Sequence, residues 1–170
     1  MNALFYIAAT VAVVATLLAI SRRNPVHSLL YMITSLLAGS MIFFVLGAPY
    51  VAALQTIVYA GAIMVLFVFV IMMLNQGPAS VKQETAWLSA KSWVGPGILS
   101  AVLFAETIYI VRGDGTWLPG DRVVEPREVS VALFTSYTLI VELASMLLLG
   151  GLISAFHIGR REPVHREEHR

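Results

Sequence analysis

The sequence predicts an all-α membrane protein with five transmembrane helices, and two observations support that prediction. Hydrophobic residues make up 58% of the 170-residue chain and charged residues only 12%, about half of the charged share that is usual in soluble domains. Five apolar runs are each long enough to cross a hydrocarbon core of about 30 Å as a helix whose backbone groups pair internally. We place these spans in one membrane domain at about residues 3–20, 25–46, 51–74, 93–111 and 129–158.

The first two spans have clear boundaries. No basic residue precedes the first apolar run, whereas Arg22 and Arg23 follow it, which indicates a retained span and not a secretory signal. Asn24-Pro25 then supplies an N-cap and a proline at the first helical position, where its missing N–H costs nothing. Gly47-Ala48-Pro49 leaves room for only a tight turn. The second and third spans are therefore predicted to be antiparallel neighbours.

The third span is unusual because its polar side chains are gathered in its first third. Gln55 and Tyr59 are four residues apart, which places them on one face of a helix, and Thr56 lies beside them. Ala60-Gly61-Ala62 follows at once and allows another helix, or an irregular turn, to come close. A helix that served only as an anchor would need neither feature.

The remaining segments are assigned from charge and turn residues. Asn75-Gln76-Gly77-Pro78 ends the third span, and the fifth span, at 30 residues and about 45 Å, is expected to tilt or to project from the membrane. Three polar segments complete the chain: a surface segment at 79–92 with aromatic anchors, a loop of mixed charge at 113–128 and a cytoplasmic tail at 159–170.

The basic residues predict the orientation. With the N-terminus outside and the C-terminus inside, the inner segments hold most of the basic residues, as the positive-inside rule requires. The inner set is Arg22, Arg23, Lys82, Lys91, Arg160, Arg161, Arg166 and Arg170, and the outer set is Arg112, Arg122 and Arg127.

Glu142 is the strongest single candidate for chemistry. It lies near the middle of the predicted fifth span, where an ionised carboxylate costs several kcal/mol unless it faces protein or water. Protonation is the cheaper alternative. Two interpretations stay open at this point: a proton pathway through Glu142, or a neutral acid that bonds to a neighbouring helix as structural glue.

Other polar residues are weaker candidates. Glu106 lies six residues from Arg112, so we expect its side chain to reach the interface. Thr56 serves packing or water contact, and His157 lies near the inner end of the fifth span. The chain has no cysteine and therefore no thiolate for an iron–sulfur cluster. We predict no catalytic residue, no cofactor or metal site and no nucleic-acid patch in this chain.

Three stretches resemble one known family. NPVHSLLY at Asn24 to Tyr31, IVYAGAIMVLFVFVIMMLN at Ile57 to Asn75 and VELASMLLLGGLISAFHIGR at Val141 to Arg160 resemble subunit J of bacterial NADH:quinone oxidoreductase, the respiratory complex I, which is related to mitochondrial chain 6. The resemblance implies a π-bulge around Tyr59, Ala60 and Gly61 that changes between regular and bulged forms.

The resemblance also implies a function and a setting. The chain would couple quinone reduction to proton translocation through conformational change and hydration of the third helix, with Gln55, Tyr59, Ala60, Gly61 and Glu142 as gating candidates. It would be a multi-pass protein of the bacterial inner membrane, in contact with lipid, in a hetero-oligomer with the A, H, K and antiporter-like subunits. FMN, iron–sulfur clusters and quinone would belong to partner subunits.

Two other classes stay open on the sequence. A related multisubunit cation/proton antiporter or membrane-bound hydrogenase would use the same kind of membrane subunit with another driving reaction. A purely structural scaffold subunit would hold neighbouring subunits together without any gating.

Overall fold

The structure is a computed structural model that describes residues 2–22, 24–74, 90–112 and 123–160, and the statements below concern those residues. They form helices joined by turns. The chain divides into two compact units, Met1–Glu125 and Pro126–Arg170, and each unit is described by itself.

The first unit begins with a pair of packed helices, α1 at Asn2–Ser21 and α2 at Pro25–Val45. The side chain of Asn24 accepts a hydrogen bond of 2.9 Å from the backbone N–H of Val26, and this confirms the predicted N-cap with proline at the first helical position. The hydroxyls of Thr16 and Ser35 lie 2.7 Å apart across the pair.

The third span consists of three consecutive parts. They are α3 at Pro49–Leu54, a π-helical stretch at Gln55–Ile63, which we call the π segment, and α4 at Met64–Leu74. Gly47, with φ of 83°, makes the tight turn from α2 because a left-handed backbone conformation suits glycine. All three parts pack against α2, which confirms the predicted pairing of the second and third spans.

Helix α5, at Ala90–Arg112, packs against α1 and α2. Val11, Ala38 and Leu103 form a buried cluster where the three helices meet. Near the start of α5, a Cβ atom on Gly95 would overlap the hydroxyl of Tyr31. Glycine at this position therefore lets α5 approach α2 closely.

The second unit corrects the predicted fifth span. The expected single helix at 129–158 is divided into α6 at Pro126–Phe134 and α7 at Thr138–Gly159, with a turn between them. The hydroxyls of Thr135 and Thr138 bond to the carbonyls of Val131 and Thr135 at 2.6 and 3.1 Å, and such local bonds compete with helix continuation. The 22 residues of α7 extend about 33 Å, so the tilt or projection expected of a 30-residue span is not needed.

Five described helical stretches are long and apolar enough to cross a membrane, which confirms the predicted class. They are Ala3–Ser21, Pro25–Val45, Pro49–Met73, Trp93–Arg112 and Thr138–Gly159. The orientation stays a prediction. The predicted stop at 75–78, most of the 79–92 segment, the loop at 113–122 and the tail from 161 onward lie outside the described residues.

Candidate functional site

The candidate site is the π segment and the part of α2 that it contacts. The N–H of Met64 donates to the carbonyl of Tyr59, five residues earlier, which is the hydrogen-bond spacing of a π-helix. A Cβ atom on Gly61 would lie 3.3 Å from the carbonyl oxygen of Thr56. The π-bulge expected around Tyr59, Ala60 and Gly61 is confirmed, within a π stretch that runs from Gln55 to Ile63.

Hydroxyl groups tie the start of the third span to α2. Ser40 Oγ donates to the carbonyl of Ala52 at 2.7 Å, and Thr56 Oγ1 donates to Ser40 Oγ at 2.8 Å. Thr56 Oγ1 also lies 3.1 Å from the Ala52 carbonyl oxygen. A hydroxyl carries a single proton, so Thr56 donates to Ser40 or to Ala52 at any moment. We call Ser40, Ala52 and Thr56 the hydroxyl anchor.

The π segment changes which face of the third span is buried. Ala52 is 4% exposed and Met64 is 2% exposed, although they lie twelve positions apart. In a continuous α-helix of 3.6 residues per turn, two side chains twelve positions apart point in directions that differ by about 120° around the helix axis. The extra residue in the π segment reduces this angle to about 20°. Both side chains can therefore lie on the side that packs against α2.

Gln55 and Tyr59 lie in different surroundings, although their spacing predicts one shared face. The Nε2 atom of Gln55 lies 3.8 Å from the position that a Cβ atom on Gly39 of α2 would take. Tyr59 is 50% exposed within its unit. The structure thus places Gln55 with the hydroxyl anchor, and it leaves Tyr59 facing outward at the centre of the π segment.

An open cavity of about 500 Å³ lies beside this site. Side chains from α2, α3, the π segment and α5 line it. Most of them are apolar, and the hydroxyl-bearing ones are Ser40, Thr56, Ser100 and Thr107. The π segment contributes Thr56 to this lining, so the cavity borders the start of the π segment.

Glu106 does not reach the membrane interface as the sequence suggested. Its side chain is only 5% exposed, and neither carboxyl oxygen has a hydrogen-bond partner within the described part of the chain. Glu106 lies three and four residues after Leu103 and Val102, which belong to the buried cluster or pack on it. This helical spacing places Glu106 on the buried face of α5, because residues three and four apart share a face; which face of α5 is buried is decided by the packing of α1 and α2.

Glu142 lies nearer to a helix end than predicted. It is the fifth residue of α7, about 6 Å along the axis from the first, and its depth in the membrane stays a prediction. Glu142 is exposed within its own unit, and His157 is exposed in the last turn of the same helix. Neither residue lies in the unit that holds the π segment.

The fold and the site together define a class: a polytopic helical membrane protein whose third span contains a π segment anchored to the second. No group of three or more potential metal ligands occurs among the described residues. The chain belongs to the family of NADH-ubiquinone/plastoquinone oxidoreductase chain 6, whose family model matches residues 15–158.

Relatives in bacteria agree with this assignment, and three of them are named NADH-quinone oxidoreductase subunit J. The Pseudomonas aeruginosa protein is 55% identical over 93% of this chain and 96% of its own length. The protein of Escherichia coli strain K12 is 52% identical over 93% of this chain and 86% of its own length. The protein of Buchnera aphidicola from Schizaphis graminum is 45% identical over 95% of this chain and 99% of its own.

Proposed function

We propose that this chain is a membrane-arm subunit of a proton-pumping NADH:quinone oxidoreductase and that its π segment couples quinone reduction to proton translocation. Membership of the family supports the assignment to the complex. The observation that carries the coupling role is the π-helical stretch in the middle of the third span, since such irregularities are frequent at functional sites. The chain contains no cysteine, so it supplies no thiolate ligand for an iron–sulfur cluster. The proposal assigns these clusters, FMN and the quinone site to partner subunits.

The proposed change is a return of the π segment to regular α-helix. In the regular form the π turn no longer accommodates an extra residue, and α4 would rotate by about 100° relative to α3. Ile63 would then take the position of Met64 on the side that packs against α2. The backbone hydrogen bonds would change partners from five to four residues apart without a net loss. The two forms therefore exchange one set of bonds for another, and their free energies can lie close together.

Each candidate residue has a place in this proposal. Tyr59, Ala60 and Gly61 are the moving centre, and Gln55 and Thr56 hold the fixed end against α2. The rotation changes which side chains of α4 face α2 and thereby controls the entry of water. This water path links quinone reduction in the partner subunits to their proton channels.

Glu142 is the proposed titratable candidate for proton transfer in this chain, and Glu106 and His157 are weaker candidates. The proposed partners are the A, H and K subunits and the antiporter-like subunits of the complex, in the inner membrane of the bacterium and in contact with lipid. The proposed assembly is a hetero-oligomer, which the subunit names of the relatives support.

The decisive experiment replaces Gly61 by valine in the intact complex. The added side chain would press on the Thr56 carbonyl, 3.3 Å from the Cβ position, and would disfavour the π form. We expect NADH-driven proton pumping and quinone reduction to fall together while the complex still assembles. Gly97→Val is the matched control, because a Cβ atom there meets nothing within 4 Å.

Two results would contradict the proposal. Wild-type pumping and NADH oxidation in an assembled Gly61→Val complex would show that the third span acts only as a scaffold. Purification of the chain in an assembly without flavin, iron–sulfur centres and NADH-dependent quinone reduction would instead indicate the antiporter or hydrogenase class.

A further inference from the structure

The Glu106 carboxyl is the one buried acid within the described residues, and the proposed function assigns it only a minor role. It is only 5% exposed, and its helix α5 packs against α1 and α2 of the same unit. Both Oε1 and Oε2 lack a hydrogen-bond partner among the described residues. The buried hydroxyl of Thr34 behaves differently, since its Oγ1 donates to the Leu30 carbonyl at 2.9 Å.

The packing of the three helices locates this carboxyl. Leu103 of α5, Ala38 of α2 and Val11 of α1 lie in one cluster. Helices α5 and α2 run in the same direction. Gly95 lies against Tyr31, and five residues further along α5 the Ser100 Oγ lies 3.5 Å from the Thr34 Oγ1 of α2. Glu106, one turn beyond Leu103, is therefore level with Met41 of α2 and with Ala8 of α1.

The neighbouring position on α1 is occupied by a small side chain. Ala8 is fully buried, at 0% exposure, one turn before Val11 on a helix that runs opposite to α2. A methyl group at this position leaves room for the longer side chain of Glu106. It supplies no hydrogen-bonding group.

No cation faces the carboxyl from the helices packed around it. Among the described residues, α1 contributes one titratable side chain, Tyr6, which is 65% exposed. Helix α2 contributes His27 and Tyr31, which both lie toward its opposite end. On α5 itself, Tyr109 is 53% exposed, Lys91 lies at the far end, and Arg112 is six residues away, about 9 Å along the axis.

Burial without a cation selects the protonated form of the acid. An ionised carboxylate in an apolar membrane interior costs several kcal/mol when it is unpaired. A neutral carboxylic acid avoids that cost, but its O–H and C=O groups still need partners. Internal water supplies such partners at buried polar groups throughout proteins.

We propose that Glu106 is a proton-binding site of this subunit, which holds a proton at neutral pH with internal water as its hydrogen-bond partner. The site releases its proton to that water, which leaves a carboxylate and a hydronium ion, and it is reprotonated by the reverse step. Exchange occurs at the Arg112 end of α5, which is the nearer end of that helix. The site is distinct from the π segment and from Glu142.

Labelling with dicyclohexylcarbodiimide in membranes that contain the intact complex tests this proposal. The lipophilic reagent adds to a protonated carboxyl: the acid O–H proton passes to a carbodiimide nitrogen, and the carboxyl oxygen bonds to the central carbon. An ordinary exposed glutamate, with a pKa of about 4.3, is neutral in only about one molecule in 1,000 at a pH of about 7.3. A membrane-buried acid that stays neutral reacts both near neutral pH and at lower pH.

The readout is mass spectrometry of the peptides that contain Glu106 and Glu125, after labelling at two pH values about two units apart, the higher near neutral. Glu125 is exposed and is the matched control carboxyl of the same unit. We expect Glu106 to be modified to a similar extent at both pH values and Glu125 only at the lower one. Labelling of Glu106 that disappears at neutral pH, or that is absent at both values, overturns the proposal.

A Glu106→Gln variant supplies a second, independent measurement. Glutamine keeps the shape of the neutral acid but cannot ionise, so we expect the complex to assemble. If the packed state keeps the proton and the released subunit loses it, heat-induced release of the wild-type subunit becomes easier as the pH rises. The equilibrium constant for release of the wild-type subunit then rises by up to about tenfold per pH unit. The variant should lack this dependence, and equal pH profiles would overturn the proposal.

Discussion

The hydroxyl anchor allows a double-substitution experiment whose outcome follows from its geometry. Ser40 Oγ donates to the Ala52 carbonyl at 2.7 Å and accepts from Thr56 Oγ1 at 2.8 Å. Every hydrogen bond between the helices in this group therefore passes through Ser40. Ser40→Ala removes two such bonds, whereas Thr56→Val removes one and keeps the bond from Ser40 to Ala52.

The magnitudes follow from the measured strength of hydrogen bonds between membrane helices. Such bonds average about 0.6 kcal/mol each, so Thr56→Val should cost about 0.6 kcal/mol and Ser40→Ala about 1.2 kcal/mol. The double variant should also cost about 1.2 kcal/mol, and not about 1.8, since Thr56 has no partner on α2 once Ser40 is gone. The remaining contact from Thr56 to Ala52, at 3.1 Å, lies within one helix.

The assay is the rate at which the heated, detergent-solubilised complex releases this subunit. If the contact is absent in the transition state for release, these costs correspond to rates about threefold faster for Thr56→Val and about eightfold faster for Ser40→Ala. Thr10→Val is the matched control, because the Thr10 hydroxyl bonds only to the Tyr6 carbonyl of its own helix. A double variant whose acceleration is the product of the single ones would refute the reasoning, since it would show that Thr56 acts without Ser40.

Three further substitutions test separate parts of the structure. Gly95→Ala should reduce the yield of assembled complex on native gels, because the new methyl group overlaps the Tyr31 hydroxyl; a normal yield would show that α5 and α2 are not in close contact. Asn24→Ala should destabilise α2 by about 1 kcal/mol, measured by heat-induced release, while Asn24→Asp, which keeps the acceptor for the Val26 N–H, should not. Glu142→Gln should lower the number of protons pumped per NADH oxidised, and an unchanged ratio would leave Glu142 as a packing residue.

Several features of this protein could be predicted from local sequence because their causes are local. Length and apolar content predict the five spans, since a helix must satisfy its own backbone in a bilayer. The start of α2 depends on one side-chain hydrogen bond, from Val26 to Asn24. The π stretch was expected only from the family resemblance, because a single glycine with small neighbours does not distinguish a π-bulge from a close helix contact.

The break before α7 shows where a local signal was available but was overlooked. The apolar content of 129–158 favoured one long helix, whereas the structure has a turn at 135–137, where the hydroxyls of Thr135 and Thr138 bond to nearby carbonyls. The interruption also affects the site, because Glu142 is the fifth residue of α7 and not the fourteenth of one long helix.

The tertiary structure alone decided which side chains are enclosed. Glu106 is six residues from Arg112 at the end of its helix in any reading of the sequence, but it is buried because α1 and α2 cover that face of α5. Ala52 and Met64 are both buried because the π segment turns the helix between them. Local sequence determines where a helix forms and ends, whereas burial depends on neighbours distant in the chain, and that is the physical reason why the spans could be predicted and the site could not.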